Sequence, residues 1–174
     1  MVYPYSFVRS QTSVPEANDI IRRYYYRFVS SLSRKEYRVF IDLCPNNIYI
    51  IKFYLKQDEK RKDKYNVLSG LNEPRNLVTT CLSILMNEFL DKDETASFGF
   101  IASNLPGEGK SNTKRFRFYR QMMANLIGDE RFSHYIIPED SIYLLVPNVL
   151  KGGKINVLAR FMELKEHYGL VDYE

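Results

Sequence analysis

Tryptophan is absent from this 174-residue chain, and cysteine and histidine occur only twice each. Those absences remove whole classes of chemistry. Cys44 ends the apolar run RVFIDLC and Cys81 lies inside LVTTCLSILM, so both read as small core hydrophobes in a reducing compartment rather than as a disulfide or a nucleophile. His134 and His167 are far apart and stand beside no Cys pair at zinc spacing, so no metal site is expected. Ser111 lacks a linked His and Asp, which leaves no nucleophilic triad. No window reaches the ~18 apolar residues that span a bilayer, and MVYPYSFVRSQTS has no basic region followed by an apolar stretch. The expectation is a soluble, cytoplasmic protein without a membrane partner.

What the chain does have is aromatic and mixed-charge residues. Tyr and Phe number 14 and 11, apolar residues make up 45%, and 25 Lys plus Arg face 21 Asp plus Glu for a net +4. This composition and length fit one folded domain over residues 1–174. With so small a net charge, an anionic partner would depend on where the bases cluster.

The hydrophobic pattern predicts an order of elements. Tyr3 to Arg9 reads as a first strand. Ser13 suits a helix cap and Pro15 a first turn, and Ile20, Ile21, Tyr24, Tyr25, Phe28, Val29 and Leu32 recur at three- and four-residue spacings, predicting a helix through Leu32. YRVFIDLC and IYIIKFYL, separated by Pro45 to Asn47, predict a hairpin. The charge run KQDEKRKDK (56–64) reads as a solvated tip because acids alternate with bases, and Tyr65 to Leu68 as a short strand. A helix over Leu77 to Leu90, a buried strand over Ser97 to Ala102 and a helix over Thr113 to Ile127 follow. A buried strand between two helices requires a crossover and therefore a parallel neighbour. SHYII and SIYLLV make a closing hairpin, and a last helix covers about 155–167. The class is α/β, with a mixed, largely antiparallel sheet flanked by helices.

Between the buried strand and the next helix lies NLPGEGKS (104–111), one residue away from G-x-x-x-x-G-K-S. Asn104 stands where the first Gly belongs, and about sixty residues are too few for the rest of a nucleotide-triphosphatase sheet. The glycines are expected to turn the chain.

NTKRFRFY (112–119) resembles the N-x-x-A-x-x-L-Y run that opens the fourth major helix in the GNAT N-acetyltransferase superfamily, with Arg115 in place of the small residue and Phe118 in place of Leu. The order of elements is similar to that superfamily over most of the chain. The resemblance implies GNAT-like topology, acetyl-coenzyme A as acyl donor and an amine as acceptor, with Tyr119 as the acid that protonates the departing thiolate. It places cofactor contacts at Gly70, Asn112 and Arg115, and the phosphates near Lys110, Lys114 and Arg117. Where the family carries Q/R-x-x-G-x-G/A before the helix at Leu77, this chain has SGLNEPR (69–75), with Gly70 alone. The ligand cleft is expected between the Tyr65 and Ser97 strands. The stretch from SFGFIASN to NTKRFRFY is also similar to uncharacterised small bacterial proteins, a resemblance that brings no known activity with it.

A different class of function is open as well. Arg22, Arg23, Tyr24 to Tyr26 and Arg27, with Lys110, Lys114 to Arg117, Tyr119 and Arg120, interleave bases with rings in a way that suits single-stranded nucleic acid if they share a surface. A protein-interaction domain without a small ligand is the third expectation.

Overall fold

The computed structural model describes residues 1–12, 14, 19–65 and 72–168. Seven strands form a single sheet in the order β1-β2-β3-β4-β5-β7-β6. They are β1 (Tyr5–Gln11), β2 (Arg22–Val29), β3 (Glu36–Cys44), β4 (Ile48–Leu55), β5 (Ser97–Ile101), β6 (Phe132–Ile137) and β7 (Ile142–Pro147). Every adjacent pair is antiparallel except β4 and β5. The mixed sheet and its parallel pair match the expected α/β class. The crossover between β4 and β5 runs through helix α1 (Pro74–Leu85), which continues as a π-helical turn over Met86–Leu90. Helix α2 (Lys114–Leu126) joins β5 to β6, and α3 (Lys154–Leu164) runs into a 3₁₀ turn at Lys165–Tyr168.

One prediction fails at β2. The segment expected as a helix through Leu32 is a strand from Arg22 to Val29, and the expected cap Ser13 and residues 15–18 lie outside the described residues. Tyr24, Tyr26 and Phe28 alternate onto one sheet face, where Tyr24 and Tyr26 meet the Phe89 ring edge-on at 5.0 and 6.3 Å. Arg23, Tyr25 and Arg27 take the other face. RRYYYRFV is compatible with both periods, and pairing along its full length with β3 decides in favour of the strand.

Strand alternation separates two cores. On one face Val39, Ile41, Tyr49, Ile51 and Phe98 are buried under α1 and α2. On the other Ile48, Ile50, Leu144 and Val146 are buried against Val157, Phe161 and Leu164 of α3. Gly99 lets α3 come close: a Cβ there would fall 2.2 Å from Cε2 of Phe161. Both cysteines are buried and unbridged, and burial pushes each thiol up to about 12. Among the described residues no helix is long and apolar enough to cross a membrane.

Candidate functional site

The parallel pair β4/β5 is short. Register runs Ile48↔Ser97, Tyr49↔Phe98 and Ile50↔Gly99, and there it stops. Beyond Ile50 the two strands part, although β4 continues to Leu55 beside β3. A cavity of about 400 Å³ fills the gap, a size that suits a small-molecule site. Because the strands have separated, side chains from both sheet faces reach it. Ile51, Phe53 and Phe100 line it from the face under α1 and α2, while Lys52 and Tyr54 line it from the other. Leu77 and Cys81 of α1 and Tyr119 and Met123 of α2 complete an apolar wall.

The start of α2 is fixed by local chemistry. Thr113 caps the helix, its Oγ1 accepting from the Phe116 amide at 3.2 Å, and its own amide donates to Ser141 Oγ in the β6–β7 turn at 2.9 Å. Tyr119 is therefore aimed at the cavity by a helix anchored at its first turn. Its hydroxyl has no hydrogen-bond partner among the described residues. Burial pushes its pKa up to about 12, with Arg115 opposing and Cys81 reinforcing the rise, so the hydroxyl keeps its proton at neutral pH. Arg115 also lines the cavity and donates to the Tyr65 carbonyl. Lys114 lines it too.

The remaining predicted residues lie elsewhere. The Asn112 amide donates to the Pro138 carbonyl at 2.7 Å, the Arg117 guanidinium donates to the Asn112 carbonyl at 2.6 Å, and the Lys110 carbonyl accepts from Ser141 Oγ at 2.7 Å. None of these three is on the cavity wall. Gly70 and the Asn66 to Leu68 part of the predicted Tyr65 strand lie outside the described residues. The strand that flanks β5 is β4, so the cleft opens one strand earlier in the chain than expected, and Tyr65 lies in a turn.

The Gly-rich loop turns the chain, as expected, and the structure shows what it turns around. Glu108 reaches back to the α2 N-terminus, with Oε1 accepting from the Lys114 amide at 2.6 Å and Oε2 from the Leu105 amide at 2.9 Å. Asn104 Nδ2 donates to the Glu108 carbonyl at 2.9 Å. The loop thus supplies its own carboxylate where a phosphate motif would leave amides open.

Several site residues escaped the sequence. The charge run at 56–64 is not wholly a solvated tip, since Asp58 and Lys64 line the cavity beside Tyr65. Lys52 interrupts the otherwise apolar IYIIKFYL, and that interruption was its signal. The two basic aromatic segments also part company: Arg23 and Arg27 lie on the sheet face opposite α2, so they and α2 do not make one surface. Among the described residues no group of three or more His, Cys, Asp or Glu side chains is placed to hold a metal.

No known protein family, characterised protein or solved structure matches the chain.

Proposed function

We propose that the β4/β5 cleft binds an acyl thioester of the coenzyme A type and that the chain is an N-acyltransferase of GNAT-like topology. The observation that carries this is the parting of the parallel pair after Ile50↔Gly99, with Tyr119 on the wall of the gap. The strand order with one parallel pair supports the same topology.

The residues present suit such a ligand. Apolar Ile51, Phe53 and Phe100 can bury an acyl group and part of an arm, while Lys64, Lys114 and Arg115 on the wall outnumber the single acid Asp58 and favour phosphates. The thioester supplies an activated carbonyl. Tyr119, protonated at neutral pH, donates to the sulfur on which negative charge develops. A lining drawn from both sheet faces lets the donor and the amine meet at one carbonyl from different sides.

Isothermal titration with acetyl-coenzyme A tests this directly. Binding is expected, together with loss of acyl transfer but retention of binding in Tyr119→Phe. No heat at millimolar ligand refutes the proposal. The nucleic-acid alternative has Arg23 and Arg27 on the sheet face away from the bases of α2, and no observation favours it over the cleft.

A further inference from the structure

Lys52 occupies an unusual position for a lysine. It lies on β4 two residues beyond the last β4/β5 pair, at the apex of the gap, and its side chain enters the cavity from the face opposite α2. Among the described residues its ammonium reaches no carboxylate or carbonyl within ion-pair or hydrogen-bond distance. Its neighbours are two rings, Tyr65 with its centroid at 4.9 Å and Tyr168 with its centroid at 5.1 Å. Tyr168 is held in place by donating to Asp42 Oδ2 at 2.6 Å. Asp42 is in turn clamped by Arg23, Nε to Oδ1 at 2.5 Å and Nη2 to Oδ2 at 2.8 Å. The acid whose charge acts on Lys52, Asp42, is therefore committed to other partners, and the amine is presented to the cavity beside two rings.

We propose that Lys52 is itself an acyl acceptor, a self-acylation site whose amine takes the acyl group from a thioester held in the cleft. The proposal rests on the acyltransferase reading above and names its first acceptor. Neutral Lys52 Nζ attacks the thioester carbonyl carbon, the new C–N bond forms and the C–S bond breaks. The amine gives up one proton and the departing sulfur gains one, with the Tyr119 hydroxyl passing its own proton to sulfur and being reprotonated in exchange. The products are an amide on Lys52 and a free thiol.

Attack requires the neutral amine, and burial enlarges its share. Burial pulls the Lys52 pKa down to about 8; Asp42 on β3 opposes that shift and Arg23 on β2 reinforces it. The other charged and titratable groups close by are Tyr65 in the turn after β4, Tyr168 in the C-terminal turn, and Lys64, which shares the Tyr65 ring at 5.5 Å. At pH 7.5 about a quarter of such an amine is neutral, against about one part in a thousand for an ordinary lysine.

The full-length protein is incubated with acetyl-coenzyme A at pH 7.5, and acylated positions are mapped by peptide mass spectrometry beside a calorimetric titration of the same ligand. In parallel, limiting acetic anhydride gives the pH profile of Lys52 reactivity relative to exposed Lys56 and Lys60. The expected result is acylation of Lys52 by acetyl-coenzyme A at least tenfold faster than of Lys56 or Lys60, no acylation at that position in Lys52→Arg, slowing in Tyr119→Phe, and an anhydride profile with its midpoint near 8. If acetyl-coenzyme A binds but Lys52 stays unmodified, self-acylation is overturned and the cleft reading survives. If it does not bind, both fall. An anhydride profile matching that of the exposed lysines overturns the reactive amine itself.

Discussion

Glu73 offers the sharpest test of how the site is held, because it fixes the start of α1 from inside the protein. The side chain is buried, and each carboxylate oxygen accepts two hydroxyls. Oε2 takes Tyr3 at 2.8 Å and Ser30; Oε1 takes Ser33 at 2.7 Å and Tyr37 at 3.0 Å. Two parts of the chain that are remote in sequence, the segment leading into β1 and the β2–β3 turn with the start of β3, are tied to the residue that precedes α1. Burial raises the Glu73 pKa and the hydroxyl bonds, led by Ser30 and Ser33, lower it by more, leaving the group below its ordinary 4.5. Replacing Glu73 by Gln keeps one oxygen and turns an amide nitrogen toward two hydroxyls that were donating. Losing two charge-assisted bonds at about 1.5–2 kcal/mol each gives an expected loss of about 3–4 kcal/mol at pH 7. The sign of the pH dependence follows from the lowered pKa. The carboxylate's contribution is complete above its unfolded value and disappears as pH falls through the folded one, so the gap between parent and Glu73→Gln should close below about pH 4.5. Urea denaturation of both proteins from pH 7 to pH 3 measures it. A gap under about 1 kcal/mol at pH 7, or one that stays constant down to pH 3, refutes the reasoning.

Gly99→Ala should cost about 1–3 kcal/mol, since the new methyl must displace the Phe161 ring or move α3 off the sheet; an unchanged urea midpoint would show that α3 is not seated there. Lys52→Met should stabilise the fold by up to about 3 kcal/mol at pH 7, because holding that ammonium with a folded pKa of about 8 is unfavourable relative to the unfolded chain. The cost is fully present below pH 8 and fades as pH rises toward the ordinary 10.5, so the gain should shrink over that window. A gain that is absent or independent of pH in thermal melts from pH 7 to pH 10 counts against a desolvated amine.

The segments that read correctly from sequence were those where periodicity and punctuation agreed. YRVFIDLC and IYIIKFYL alternate onto two buried faces around the Pro45 turn, and SIYLLV, buried throughout, pairs around Pro138 with SHYII, a partly exposed edge strand. The crossover through α1, β5 and α2 followed from a buried strand between two amphipathic helices. At β2 two periods competed, and only the presence of β1 and β3 on either side selects the strand. The site was half legible. Tyr119, Arg115 and Lys114 came from one helix motif, and the cavity brings them together. Lys110, Asn112 and Arg117 belong to the same stretch of sequence, yet their backbone and side-chain bonds run to the Ser141 and Pro138 turn and to the chain's own carbonyls. Lys52 and Glu73 depend on neighbours brought in from elsewhere in the chain, the Tyr65 and Tyr168 rings in one case and Tyr3 and Tyr37 in the other, and no local pattern announces them.

The brief parallel join between β4 and β5 also sets how force travels through the molecule. On one side β1 to β4 are stitched along nearly their whole lengths, and on the other β5 to β7 are stitched to each other. Between these two plates the backbone connection ends at Ile50↔Gly99. The plates meet along a seam, braced on one side by α1 and α2 and on the other by α3. A molecule lodged in the open part of that seam would act as a mechanical tie across it, so occupancy of the cavity and stiffness of the whole sheet are bound to each other.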